Sequence, residues 1–129
     1  MNYIYIAIGG AIGAILRYLV SGWSYALLGT GFPWGTLAVN LIGSFLIGLI
    51  WQLFANAAVS PNVRLLILTG GLGAFTTFST FALESVNLFR DGDIGLGFAN
   101  VLVSDILGIA LVFAGIIAGR LAGSLLHIG

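Results

Sequence analysis

The residues best suited to chemistry lie in one short stretch, Thr69 to Phe81, which reads TGGLGAFTTFSTF. It interleaves hydroxyl groups (Thr76, Thr77, Ser79, Thr80) with phenyl rings (Phe75, Phe78, Phe81). A hydroxyl donates hydrogen bonds, and the edge of a phenyl ring is electropositive, so both can face an anion without a formal charge. The spacing of three predicts that the rings share one side of a helix. Core packing or contact with lipid is the commoner use of such rings.

The same stretch is poorly suited to a continuous helix. Gly70, Gly71 and Gly73 each weaken a helix by about 1 kcal/mol relative to Ala, and the hydroxyls that follow compete for backbone hydrogen bonds. We therefore predict that the helix is broken near 73–77. Carbonyl oxygens freed by such a break hold Na⁺ in transporters with discontinuous helices. The alternative is a continuous helix with a glycine-rich packing face.

Polar residues form stripes on two other apolar segments. One stripe holds Thr36, Asn40, Ser44 and Gly48, and the other holds Asn100, Ser104 and Gly108, each at a spacing of four. A spacing of four places side chains on one helix face. The stripes offer N–H and O–H donors, which suit a small anion, but hydrogen bonds between helices are the commoner use of such groups.

Among the charged residues within the apolar segments, three bear on a possible role in the membrane. Arg17 is expected to reach the membrane interface or to attract anions to a vestibule. Glu84 follows Phe81 by three residues and is either functional or paired with a hydroxyl. An ionised Asp105 would cost about 2.5–3.5 kcal/mol at the bilayer centre. We predict that Asp105 points away from any narrow path or is uncharged.

The elements that position these residues follow from composition. The chain has 129 residues, of which 60% are hydrophobic and only 6% charged, whereas a soluble domain carries about 25% charged residues. The apolar segments reach the roughly 20 residues that cross a bilayer as a helix, and they lack the alternation of barrel strands. We predict an all-α membrane protein, one domain over 1–129, with helices near 3–21, 34–55, 63–89 and 94–125.

Several classes of function are excluded. The chain has no cysteine, no net charge and no basic run, which argues against a cysteine site and against nucleic acid as a partner. No pairing of a nucleophile with a histidine, no phosphate-binding loop and no cluster of metal-ligating side chains is present. The sequence predicts that the protein is not an enzyme.

The basic residues are balanced between the two predicted sides of the membrane. Arg64 and Arg120 fall on one side, and Arg17 and Arg90 fall on the other. Because an excess of Lys and Arg normally marks the cytoplasmic side, this balance gives no preferred orientation. It favours copies that insert both ways and pair as an antiparallel homodimer with a twofold axis in the membrane plane. Other orientation signals are the alternative explanation.

Small residues recur at a spacing of four in the first and last helices. These are Gly9 and Gly13, and Gly115, Gly119 and Gly123. Such faces let helix backbones approach closely in lipid. They are expected either to pack helices within one subunit or to join two subunits.

Three segments carry a resemblance to a known family. They are GGAIGAILRY at 9–18, GTLAVNLIGSFLIG at 35–48 and, most specifically, GGLGAFTTFSTFALE at 70–84. Over nearly its whole length the chain resembles the Fluc (CrcB) family of small fluoride channels. The resemblance implies an antiparallel, dual-topology homodimer in the bacterial inner membrane, with two pathways for passive fluoride efflux and a structural Na⁺ on the dimer axis that is not transported.

The resemblance also implies roles for individual residues. Gly73 and Thr76 would give backbone oxygens to Na⁺, and Asn40 would donate a hydrogen bond to fluoride. The ring edges of Phe78 and Phe81 would line the pathways, and Ser104 would lie on the polar track of the last helix. Further matching positions of the pathway motif are Thr77, Ser79, Thr80 and Glu84.

The last helix departs from the family pattern. The family often has Tyr where Asn100 stands, an apolar residue at Asp105 and sometimes Ser at Gly108. An ionised Asp105 beside the path would repel fluoride. The alternative function is a small four-helix, dual-topology drug/proton exporter, which needs an acid in the middle of the first helix, where this chain has only Arg17.

Overall fold

A computed structural model describes residues 2–55 and 57–126, and over these residues the chain is helical with no strand. Its elements are α1 (Asn2–Leu28), α2 (Trp34–Ala55), α3 (Pro61–Arg64), a π-helical segment (Leu65–Leu72), α4 (Gly73–Phe75), α5 (Phe78–Arg90) and α6 (Ile94–Leu125). Grouping α3 to α5 as one span, the described residues form four helical spans long and apolar enough to cross a membrane. The predicted four-helix membrane architecture is confirmed.

The first helix is longer than the predicted range of 3–21. It continues to Leu28 because Gly22, although a weak helix former, lies in open space and is accommodated without breaking the helix. The residue after the helix, Gly29, has a φ of 86°, and its N–H donates to the carbonyl of Tyr25 at 2.8 Å. Glycine is favoured at this position because it adopts the left-handed conformation without strain.

Glycines of α1 bring its backbone against the third span. A Cβ atom on Gly9 would overlap the carbonyl oxygen of Leu66, and one on Gly13 would overlap that of Gly71. Small residues allow this approach in lipid, where helices associate through close packing. The Gly9/Gly13 face thus packs helices within one subunit.

The glycine face of α6 has the same use. A Cβ on Gly115 would overlap the carbonyl of Phe45, and one on Gly119 would contact Gln52 at 2.7 Å. Both neighbours lie on α2. Between the two expectations for this face, the structure supports packing within the subunit.

The third span is broken within the predicted range of 73–77, but the break is shorter than that range. Leu65–Leu72 continues as a π-helix and Gly73–Phe75 is α-helical, so only Thr76 and Thr77 are extended, with φ/ψ of −88°/159° and −148°/122°. The predicted break near 73–77 is therefore confirmed, with residues 73–75 still helical. The glycines are used for close packing instead, since a Cβ on Gly70 would lie 2.6 Å from the carbonyl oxygen of Ile6.

The connection between α2 and the third span is held by Arg64. Its guanidinium donates to the carbonyl of Phe54 at 2.7 Å and lies 5.6 Å from the centre of that residue's ring. The carbonyl belongs to the last turn of α2, whose oxygens have no helical donor. Arg64 therefore caps α2 at this end of the fold.

Candidate functional site

The break is closed by a side chain of α2. Asn40 Nδ2 donates to the carbonyl of Thr77 at 2.9 Å, and the N–H of Thr77 donates to Asn40 Oδ1 at 2.8 Å. The amide thus pairs with both backbone groups of Thr77 as another peptide unit would. Extended backbone at membrane depth has no water to bond with and needs partners of this kind. Asn40 therefore supplies the hydrogen bonds that allow extended backbone to lie at membrane depth.

The hydroxyl of Thr77 forms the N-cap of α5. It accepts from the N–H of Thr80 at 3.3 Å and donates to the hydroxyl of Thr80 at 3.1 Å. Threonine is a preferred N-cap because its oxygen satisfies a backbone donor that the first helical turn leaves unpaired. Thr77 and Thr80 are therefore joined by hydrogen bonds at the start of α5.

These bonds release two carbonyl oxygens of the third span. In a continuous α-helix the N–H groups of residues 77 and 80 donate to the carbonyls of residues 73 and 76. Here they donate to Asn40 Oδ1 and Thr77 Oγ1 instead. The carbonyls of Gly73 and Thr76 have lost these donors, and Gly73 is exposed at the surface of the chain. Hard cations bind oxygen ligands, so the donor set fits one.

Two cavities meet at the break. One, of about 320 Å³, is lined by Asn40, Ser44, Thr77 and Phe78 among others. The second, of about 710 Å³, has Arg17, Thr36, Thr77 and Thr80 in its lining. Thr77 lines both, so the capped break forms part of the wall between them. Among the residues that line these two cavities, the one charged side chain is that of Arg17.

The rings of the motif do not share one side, which corrects the expectation from their spacing. Phe75 is buried, Phe78 is 76% exposed and Phe81 is 7% exposed. The extended pair Thr76–Thr77 changes the chain direction between the first ring and the other two. Phe78 and Phe81 remain neighbours, with ring centres 5.6 Å apart and planes at 56°.

The carboxylate of Glu84 is held by two hydroxyls from other helices. Tyr25 Oη donates to Oε2 at 2.9 Å, and Thr36 Oγ1 donates to Oε1. Tyr25 and Glu84 also line a third cavity of about 320 Å³ on the side of the α1–α2 loop. Pairing with a hydroxyl was one of the two alternatives for Glu84. Tyr25 was not predicted as a partner, because it lies beyond the predicted end of the first helix.

The polar stripe of α6 is used for bonding between helices. Asn100 Nδ2 donates to Ser85 Oγ at 2.8 Å, and Ser104 Oγ donates to Asn100 Oδ1 at 3.5 Å. Farther along, Gly108 approaches the hydroxyl of Ser44 on α2. Ser104 therefore lies beside Asn100 and not on either cavity described at the break.

Comparison with known proteins places this arrangement in a family. The family model described as "CrcB-like protein, Camphor Resistance (CrcB)" matches residues 4–116. The chain belongs to the CrcB family. A relative from Agrobacterium fabrum is 52% identical over 121 residues, covering 93% of this chain and 97% of the relative. A relative from Magnetococcus marinus is 49% identical over 122 residues, covering 94% and 99%.

Both CrcB relatives bear the name "Fluoride-specific ion channel FluC", as does one from Salinibacter ruber that is 49% identical over 115 residues. The family resemblance predicted from the motifs is confirmed. A family of channels also agrees with the prediction that the chain is not an enzyme. With its four spans, the chain is a multi-pass membrane protein, and the relatives named here are bacterial.

Of the candidate pathway residues, Ser79, Phe81, Glu84 and Ser104 line neither cavity at the break, and Asp105 does not either. Asp105 is exposed on α6 and lines neither of them, and Ser79 is exposed on the first turn of α5. That Asp105 points away from the narrow path or is uncharged stays a prediction. The side chain of Ser79 makes no hydrogen bond to Asn40 or Thr77, whereas Thr80 is hydrogen-bonded to Thr77.

Proposed function

We propose that this protein is a passive, fluoride-selective channel that lets fluoride leave the cell. The observation that carries the proposal is the capped break, at which Asn40 and Thr77 pair between two cavities lined by uncharged donors and one arginine. Such a lining favours a small anion over a cation. The family and the names of its relatives support fluoride as that anion.

The groups around the break supply what a dehydrating anion needs. Asn40 has a second N–H beyond the one bonded to Thr77, and its side chain lines the cavity that also holds Phe78. The neighbouring rings of Phe78 and Phe81 offer electropositive edges. Arg17 raises the local anion concentration in the larger cavity, since a charged cleft with low-dielectric walls focuses its field.

We further propose that two copies pair antiparallel in the inner membrane, giving two pathways per dimer. The balance of Arg17 and Arg90 against Arg64 and Arg120 supports dual insertion. The 76% exposure of Phe78 in the single chain also supports a partner, because a pathway ring is then enclosed between two subunits. The twofold axis brings the same face of each copy together.

A structural Na⁺ on that axis is part of the proposal. The freed carbonyls of Gly73 and Thr76 would hold it, and two copies would supply four oxygens. Unwound backbone carbonyls coordinate Na⁺ in transporters with broken helices. The ion would fix the two breaks relative to each other; it is not transported.

The test is fluoride efflux from liposomes that hold the purified protein, with chloride as the control anion. We expect fluoride to leave through the protein while chloride stays inside. Equal chloride efflux, or no fluoride efflux above that of protein-free liposomes, would overturn the proposed function.

The sodium and dimer proposals have separate readouts. Replacing Na⁺ by N-methylglucamine throughout purification and assay should lower fluoride efflux if the ion is structural, and unchanged efflux would contradict it. Crosslinking through a single cysteine placed near the axis, at Gly73, should give a dimer. A monomeric protein with full efflux would contradict the dimer.

A further inference from the structure

We infer that Asn100 is a positioning residue for the ring of Phe81, and that it acts through the hydroxyl of Ser85. The inference rests on the proposed fluoride conduction, since Phe81 is there a pathway residue. It assigns to α6 the task of orienting α5, which is different from lining the path itself.

The contact is a buried chain of hydrogen bonds. Asn100 is 1% exposed and its Nδ2 donates to Ser85 Oγ at 2.8 Å. Ser85 Oγ in turn donates to the carbonyl of Phe81 at 2.8 Å. Both partners on α5 are buried as well. A buried polar chain of this kind is stabilising only while every member is bonded, so it fixes the geometry of its members.

Helix α5 needs such an anchor because the break separates it from the upstream half of its span. In a continuous helix the preceding turns would set its rotation about its own axis. After the extended pair Thr76–Thr77, the rotation depends on the cap and on lateral contacts. Phe81, Ser85 and Phe89 follow at a spacing of four and so lie on one face of α5.

That face lies against the beginning of α6. The rings of Phe89 and Phe98 meet edge to face, with centres 5.1 Å apart and planes at 76°. A Cβ on Gly97 would lie 2.7 Å from the ring of Phe89. These apolar contacts hold the far end of the face, and the bond from Asn100 to Ser85 holds its middle. The next turn back toward the break carries Phe81.

Loss of the Asn100 amide is expected to loosen this rotation on the side that faces α6, while Tyr25 and Thr36 continue to hold Glu84. Ser85 would keep its bond to its own helix, but nothing polar would tie that turn to α6. The ring of Phe81 could then leave its position 5.6 Å from the ring of Phe78. Because the ring edges act on each passing ion, the current through one open channel should fall.

The experiment measures unitary fluoride current in planar bilayers for the wild type, Asn100→Leu, Ser85→Ala and the double variant. We expect each single variant to lower the unitary current about tenfold, the scale expected for one buried hydrogen bond. The double variant should be no worse than either single variant, because both remove one link of the same chain. Ser24→Ala is the matched control: it removes a hydroxyl that bonds the carbonyl of Val20 at 2.8 Å, away from the site.

The readout separates positioning from simple destabilisation. A variant that only folds poorly gives fewer channels in the bilayer, each with the wild-type unitary current, and that result would overturn the inference. Additive losses in the double variant would also overturn it. A wild type without any fluoride current would instead refute the proposed function on which the inference rests.

Discussion

The two halves of the third span are held by different forces. The upstream half, residues 61–75, packs its backbone against α1 through glycines on both sides, as at Gly9 and Gly70. The downstream half, α5, is held by hydrogen bonds from side chains of three other helices. Close packing tolerates almost no displacement, whereas hydrogen bonds specify orientation. We conclude that the upstream half is the fixed frame and the downstream half is the oriented element that carries the proposed pathway groups.

The largest expected effect comes from disturbing the frame. Gly13→Ala should greatly lower the yield of folded protein, because the new Cβ meets the backbone of Gly71, which cannot move aside. Gly10→Ala is the matched control, since nothing lies within 4 Å of a Cβ at that position. The measurement is the monodisperse fraction in detergent by size-exclusion chromatography. Equal yields for the two variants would remove the distinction between the halves.

The next largest effect is expected from removing the amide of Asn40, which pairs with the backbone of Thr77 at the break. Asn40→Leu should lower fluoride efflux about 100-fold or more, because the N–H and the carbonyl of Thr77 both lose a partner at a cost of about 1–3 kcal/mol each. Asn87→Leu, on the exposed side of α5, is the control. The measurement is fluoride efflux from liposomes, normalised to the amount of folded protein. Wild-type efflux in Asn40→Leu would mean that the break does not depend on this amide.

A smaller effect is expected from changing the hydrogen bonds to the carboxylate of Glu84. Tyr25→Phe removes one of the two donors to Glu84 and leaves the carboxylate less neutralised beside the third cavity, which Glu84 lines. Fluoride efflux should fall about tenfold, in line with hydrogen bonds to charged groups of about 1.5–3 kcal/mol. Tyr18→Phe is a suitable control because Tyr18 lines the same larger cavity as Tyr25. Equal efflux from both variants would show that the donor from Tyr25 is dispensable.

The smallest effect is expected at Asp105, which lies outside both halves. Asp105→Leu should change fluoride efflux less than about twofold, since the residue is exposed on α6 and lines no cavity at the break. The same liposome assay applies. An increase of several orders of magnitude would place this carboxylate beside the path.

Much of the fold could be predicted from the sequence, because lipid reduces the possible architectures to helices of known length. The apolar runs placed α2 and α6 closely, and the motif at 70–84 identified the family. The end of α1 was missed because a glycine that lowers helix propensity, Gly22, does not by itself end a helix in a membrane. Gly29 does so through its left-handed conformation.

The site was harder to predict than the fold because partners distant in sequence decide it. The glycines of the motif indicated a break, but Gly70 and Gly71 pack closely against α1 and stay helical, and Asn40 pairs with the backbone where the break occurs, at Thr76–Thr77. The donor from Tyr25 to Glu84 joins residues 59 positions apart. Spacing within one helix carries no information about such a pair.

The length of α6 has a consequence for the surrounding bilayer. Its 32 residues form a helix of about 48 Å, against a hydrocarbon thickness of about 30 Å. Such an excess is relieved by tilt, by local thickening of the lipid or by projection into the headgroups. The packing of α6 on α2 fixes the tilt of α6 within the protein. After reconstitution into lipids of graded acyl length, fluoride efflux should therefore be highest in the thicker bilayers.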